Sequence, residues 1–305
     1  MMLVNHKYTR QQWLVLLGAC LFQCAMIGVL VNCSGVLFSQ IRTELGYSMS
    51  KISAYNTIKG LCGAVGATFI TALFFRSDKR KFLFINQILL LTSFVMLVVN
   101  ISNTVWYIAA CLCGLCTCIS SVAVPSLLNQ WFPKNAGAVT GTAMAFSGLG
   151  GAICNPLCAQ LIARFGWRIS ILVLGAVMLL LSVPGIILMF HSDPPANEPE
   201  VNSKKSSSKG AMDRDTISTF FLVCVLLLTG SVGVQFAMNI SIYSQSIGYP
   251  LAVGATLATM VMFGNVAGKF LYGFLCDILF VLLITVCGNA TSGKSNHGYG
   301  IRKSE

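Results

Sequence analysis

The chain has 305 residues, of which 55% are hydrophobic and only 10% charged, with a mean hydropathy of +0.77. An average soluble domain carries about 25% charged residues, so this composition excludes a soluble globule, a disordered chain and a collagen-like fibre, and leaves an integral membrane protein. The net charge of +11 does not signal nucleic acid, because the basic residues sit in short loops between apolar runs and not along one face.

A hydrocarbon core about 30 Å thick needs roughly 20 apolar residues at ~1.5 Å rise each. In chain order that ruler finds eight adequate runs: Trp13–Phe38, Ile52–Phe75, Phe82–Val99, Val105–Leu128, Ala138–Ile162, Ile169–Phe190, Ile217–Ile242 and Leu251–Leu275. A ninth, Ile278–Cys287, has only ten residues and is too short to cross as a helix. The first run has the basic flank of a signal peptide (Lys7, Arg10), but it is too long for a signal core and lacks an Ala-x-Ala exit, so it reads as the first span. Between the sixth and seventh runs lies His191–Asp215, rich in proline and serine and carrying Lys204, Lys205 and Lys209, which reads as a flexible linker. The domain organisation is therefore expected to be a six-helix bundle over 1–190, a linker over 191–216, a partial second bundle of two spans and a fragment over 217–287, and a disordered polar tail over 288–305. With the N-terminus in the cytosol, eleven lysines and arginines fall in inside segments and four (Arg42, Lys51, Arg164, Arg168) in outside loops, which sets the orientation.

Six spans, a linker and further spans is the plan of a transporter built from two related halves. Two landmarks support a duplication. Gly46-Tyr47 after the first run is matched by Gly248-Tyr249 after the seventh, 202 residues on, and Asp78 after the second run by Asp277 after the eighth, 199 residues on.

Three motifs carry a family resemblance. Glu44-Leu45-Gly46-Tyr47-Ser48 with Ile52-Ser53, Asn129-Gln130-Trp131-Phe132-Pro133 leading to Gly137 and Gly141, and Phe165-Gly166-Trp167-Arg168 resemble, in turn, the outer loop, the span four-to-five link and the span five-to-six turn of major facilitator superfamily carriers. The branch they resemble most is that of the oxalate/formate antiporters and monocarboxylate transporters. The resemblance covers about residues 10–277 and implies an all-α, two-bundle membrane fold, its second bundle incomplete because full members have twelve spans. The family's cytosolic signature of a glycine, an aspartate four residues on and a basic turn is split here. Asp78-Lys79-Arg80-Lys81 keeps the acid and the basic turn but has Phe74 in place of the glycine, and Gly273 and Asp277 are kept but Ile278 follows. The resemblance gives Asp78, Asp277 and Gly273 gating or structural roles; an acid that only marks the membrane edge is the alternative for Asp78. Thr9-Arg10-Gln11-Gln12-Trp13 and Ala136 depart from the family pattern.

Polar residues inside the spans are the candidates for a site. A lysine at mid-span costs roughly 2.5–3.5 kcal/mol on insertion scales, so it calls for a reason. Lys269 lies deep in the eighth run, and Asn265, Lys269 and Tyr272 share one helical face. Gly268-Lys269 occupies the place where the carboxylate-transporting branch resembled here has a glycine and its anion-binding cation, with lysine for the usual arginine. A structurally paired lysine is the alternative. Lys59, nearer a span end, reads as a snorkelling lysine. Ser231, Gln235, Asn239 and Tyr243 form a four-residue stripe in the seventh run that lines a cavity or packs helices; Gln235 and Asn239 join the candidate substrate-binding set.

The cysteines Cys111, Cys113, Cys116 and Cys118 lie on one helix and point in several directions, so they do not form a zinc tetrahedron; no metal site is expected. His6, His191 and His297 all lie outside the spans, no nucleophile–base pair sits in a cavity, and no phosphate-cradling Gly-x-x-x-x-Gly-Lys loop occurs, so neither an enzyme nor an ATP-driven pump is expected, and no cofactor. The expectation is a multi-pass plasma-membrane carrier that moves a small organic anion, a mono- or dicarboxylate, by alternating access, with coupling to a proton or a counter-anion left open. Two alternatives stand: a carrier of the same fold for a neutral substrate, and an inactive remnant of a carrier lacking four spans.

Overall fold

The computed structural model describes residues 8–99, 102–133, 135–191 and 239–295, with side chains described as far as 275, apart from Tyr272. Every element among them is helical. The first span runs from Arg10 to Leu45 in three pieces: α1 (Arg10–Gln23), a π-helical segment (Cys24–Val31) and α2 (Ser34–Leu45). It starts on a reciprocal cap, since the Thr9 hydroxyl accepts from Gln12 N while Gln12 Oε1 accepts from Thr9 N at 2.9 Å. There follow α3 (Met49–Arg76), α4 (Lys79–Val99), α5 (Asn103–Trp131), α6 (Ala136–Met189), a short helix α7 over 239–246, and α8 (Leu251–Ser295).

The 54 residues of α6 would reach about 81 Å if straight, far more than one bilayer crossing. They are divided at Gly166, whose φ of 77° and ψ of 165° are not helical. The turn therefore lies within Phe165–Arg168, where the sequence expected it, and fifth and sixth spans result. Ser170 Oγ donates to Gly166 O at 2.7 Å and Trp167 is buried beneath the turn. Other starts are capped by serine or aspartate: Ser48 accepts from Lys51 N, Ser102 from Val105 N, and Asp78 Oδ1 from Arg80 N and Lys81 N. Because successive helices are joined by short turns, Arg10, Arg76, Lys79–Lys81, Trp131 and Ala136 collect at one end of the bundle, called here the basic end.

The repeat is legible in backbone geometry at one landmark. Gly46 (φ 66°) and Gly248 (φ 93°) each end a helix in the left-handed region that favours glycine, each followed by tyrosine and then the next span. At the second landmark the halves differ. Asp78 caps a new helix, whereas α8 runs unbroken through Gly273, Asp277 and the Ile278–Cys287 run to Ser295. The ninth run continues the eighth as one helix, which reaches residue 295. The reason is local: Cys276–Cys287 has no proline or glycine, and a single aspartate does not stop a helix.

Lipid tails are as apolar as leucine, so hydrophobic burial does little to hold such helices together; close packing does. The sixth-span part of α6 and its fifth-span part both lie on the first span, α3 pairs with α5, and α6 also packs on α8. The tightest crossings are glycine on glycine. A Cβ on Gly28 would lie 2.9 Å from the Cα of Gly150, and one on Gly141 would lie 2.9 Å from the Cα of Gly273. Leu61, Phe69, Ile88 and Leu180 face outward, as lipid-facing residues do.

The other two resemblance motifs also do structural work. At the basic end, Tyr8 meets Trp13 and Phe132 edge-on, Gln12 Nε2 donates to Trp131 O at 3.1 Å, and Asn135 Nδ2 donates to the Tyr8 hydroxyl at 2.9 Å. At the opposite end, Phe38, Tyr47, Tyr55 and Trp106 form an aromatic cluster; Lys51 Nζ sits 3.1 Å above the Tyr47 ring and donates to Asn103 Oδ1 at 2.7 Å.

Candidate functional site

The crossing of α6 and α8 frames a cavity of about 580 Å³, whose wall includes Asn129 from α5, Thr140 and Met144 from α6, and Asn265, Gly268 and Lys269 from α8. Pro125, Ala136 and Gly137 also line it, which places it in the basic-end half of the bundle. Gly268 is not there for packing, since a Cβ on it would meet nothing within 4 Å. It leaves the space beside Lys269 open.

Lys269 is the cation of this cavity. Its Nζ donates to Ser147 Oγ at 2.7 Å and to Met144 O at 3.2 Å. Ser147 is buried, and its own proton goes to Met144 O at 2.7 Å, so toward Lys269 the hydroxyl can only accept. Asn32 Nδ2 on the first span donates to Ser147 O at 2.8 Å, and Gln23 Nε2 reaches the Met144 sulfur at 3.0 Å and Ser120 O at 3.1 Å. Both partners of the ammonium are neutral. Among the described residues the one ion pair joins Lys81 and Asp78, at 3.6 Å and largely exposed, so no described carboxylate offsets the Lys269 charge. Thr140 Oγ1 and Asn265 Oδ1 are buried without a hydrogen-bond partner at the same seam.

Higher along the seam a second, longer polar contact links α8 to α6. Pro156 has no N–H to give Ala152 O, the carbonyl four residues back. Thr259 Oγ1 of α8 approaches that carbonyl at 3.4 Å, while also bonding Ala255 O of its own helix at 2.9 Å.

Of the residues expected from sequence to bind substrate, Lys269 and Asn265 line one cavity. Tyr272 has its backbone in α8 but its side chain lies outside the described residues, as do all of Ser231 and Gln235. Asn239 opens α7 half-buried and is not among the described residues lining the cavity, and Tyr243 is exposed. Of the gating set, Gly273 lines the cavity and crosses α6, Asp78 caps α4 away from it, and Asp277 is known here only as helical backbone. Lys59 is half-buried on α3 and is not among the cavity residues. The residues that sequence reasoning missed are Thr140, Met144 and Ser147. They recur at i, i+4 and i+7 among Gly137, Gly141 and Gly148, a polar line within a glycine face that could have marked them.

Comparison with known proteins bears on the whole chain. The MFS-type transporter pynF of Aspergillus niger is 22% identical over 270 residues, which cover 88% of this chain and 61% of that protein. The human MFS-type transporter SLC18B1 is 31% identical over 144 residues, 41% of this chain and 31% of that protein. The chain thus aligns with about three fifths of the first relative's length and about a third of the second's. Both are named as transporters, in keeping with the sequence reading of a transporter and not an enzyme. The family model described as Major Facilitator Superfamily matches residues 15–293, and the chain belongs to that superfamily.

Proposed function

We propose that the protein is a secondary carrier for a small organic anion, a mono- or dicarboxylate, that works by alternating access around the α6–α8 cavity. One observation supports this most: a lysine ammonium on the cavity wall that has only neutral partners among the described residues. An uncompensated charge within a membrane span is costly, and an arriving carboxylate would offset much of that cost. Gly268 leaves room for it. The substrate class agrees with the resemblance to the oxalate/formate and monocarboxylate branch. With the basic end in the cytosol, as the distribution of lysine and arginine indicates, this cavity opens inward in a plasma-membrane carrier. Of the two couplings left open, the reading favours exchange against a counter-anion.

The test is uptake of radiolabelled oxalate or lactate by the purified protein in liposomes. Lys269→Gln keeps the side-chain length roughly and removes the charge, and it should lower exchange at least tenfold. Lys269→Arg, which keeps the cation and adds a fork suited to carboxylate, should retain it. Undiminished exchange by a normally inserted Lys269→Gln protein would overturn the anion assignment.

A further inference from the structure

The two acceptors of Lys269 are both on α6, and Lys269 itself is on α8, so the ammonium ties the two halves across the seam. An ammonium has three donors. Two are taken here, at 2.7 Å and 3.2 Å, by groups that have no other cation among the described residues. Ser147 is unusually well fixed for a serine: its proton is committed to Met144 O, its carbonyl is held by Asn32, and it is only 1% exposed. It lies between the Gly141–Gly273 crossing and the contact of Gly148 and Gly151 with Met262. One donor is left for a carboxylate entering the cavity, and a second charge-assisted bond to it has to be taken from Ser147 or Met144.

We infer that Ser147 is a positioning residue that holds the Lys269 ammonium on α6 while the site is empty and competes with the incoming carboxylate for the same donors. The inference rests on the anion reading above. Its consequence is a coupling. Loading the site withdraws Lys269 from Ser147 and Met144 and loosens α8 from α6, whereas the empty carrier stays latched. Binding energy is thereby spent on releasing the seam, and the apparent affinity is lower than the bare lysine would give. Removing the Ser147 hydroxyl should tighten binding by about tenfold or more, the worth of one hydrogen bond to a charged group.

The experiment uses the whole 305-residue chain in lipid nanodiscs. Sodium oxalate and sodium lactate are titrated by calorimetry into wild type, Ser147→Ala and Lys269→Gln. In parallel, spin labels carried by unnatural amino acids at Leu157 and Met260, both exposed and away from the cavity wall, report the α6–α8 distance without added anion. The expected result is tighter binding by Ser147→Ala, no binding by Lys269→Gln, and a longer or broader distance distribution in both variants. Equal or weaker binding by Ser147→Ala, with binding still lost in Lys269→Gln, overturns the competition and leaves the anion site standing. Binding by Lys269→Gln at wild-type strength, or no binding of either probe by wild type, overturns the anion reading and this inference with it. A distance distribution unchanged in Ser147→Ala overturns the latch whatever the titrations give.

Discussion

Replacing Gly141 by alanine tests whether the α6–α8 crossing is set by backbone contact. The new Cβ would stand 2.9 Å from the Cα of Gly273 and 2.9 Å from Lys269 O. Ordinary van der Waals contact begins near 3.4 Å, so the helices must part by roughly 0.5 Å, and neither obstacle is a flexible side-chain end. Overpacking of this kind costs about 1–3 kcal/mol. The helix itself gains up to about 1 kcal/mol from Gly→Ala, and Gly268→Ala isolates that gain because its Cβ would meet nothing within 4 Å. Gly148→Ala is intermediate: its nearest obstacle, at 2.7 Å, is Val266 Cγ2, a side-chain methyl, and the nearest backbone atom, Met262 O, is farther at 3.2 Å. Thermal denaturation of the three variants in nanodiscs should rank Gly268→Ala at or above wild type, then Gly148→Ala, then Gly141→Ala lowest. Gly141→Ala should also disturb Lys269, whose carbonyl it strikes. Equal melting of Gly141→Ala and Gly268→Ala would show that the two helices are not in backbone contact and would refute the packing argument.

Two further outcomes follow from geometry already given. Thr259→Val should destabilise the protein by about 0.5–1.5 kcal/mol, the worth of one hydrogen bond, and should cost less on a Pro156→Ala background, where residue 156 has its own N–H for Ala152 O and only the bond to Ala255 O is lost; thermal melts of the four proteins in a double-mutant cycle read this directly. For orientation, a cysteine at Ser77, in the turn between α3 and α4, should resist a membrane-impermeant maleimide in intact cells while one at Gly46 reacts, on a background freed of reactive native cysteines; the opposite pattern would invert the topology.

The first six spans and the eighth were legible because bilayer thickness imposes a length that few other structures share, the seventh lying outside the described residues up to 238, and Gly166 and Gly46 were legible because each sits where a chain must reverse. Lys269 stood out by the cost of its charge. Ser147 did not, because serine in a glycine-rich helix is unremarkable until α8, more than a hundred residues later in the chain, lays a lysine across it. The run of α8 past Leu275 was not legible, for the opposite reason. The repeat paired Asp277 with Asp78 as markers of a run's end, but Asp78 caps a helix that begins after Ser77 breaks from helical geometry (φ −100°, ψ 167°), and α8 has no such break. Matching residues did not bring matching backbone.

The π-helical stretch Cys24–Val31 separates two parts of the first span that answer to different neighbours. Below it, Gly18 fits against Gly185 and Met189 of the sixth span; along it and just beyond, Cys24, Gly28 and Asn32 fit against Ser147 and Gly150 of the fifth. Within it the winding is looser, as the bond from Asn32 N to Ile27 O, five residues back, records at 2.9 Å. If the fifth and sixth spans slide past each other, a uniformly wound first span would have to break one attachment. A looser stretch at this place would take up such a slip in its own turns, with the first span held to the fifth from Cys24 onward and to the sixth at Gly18.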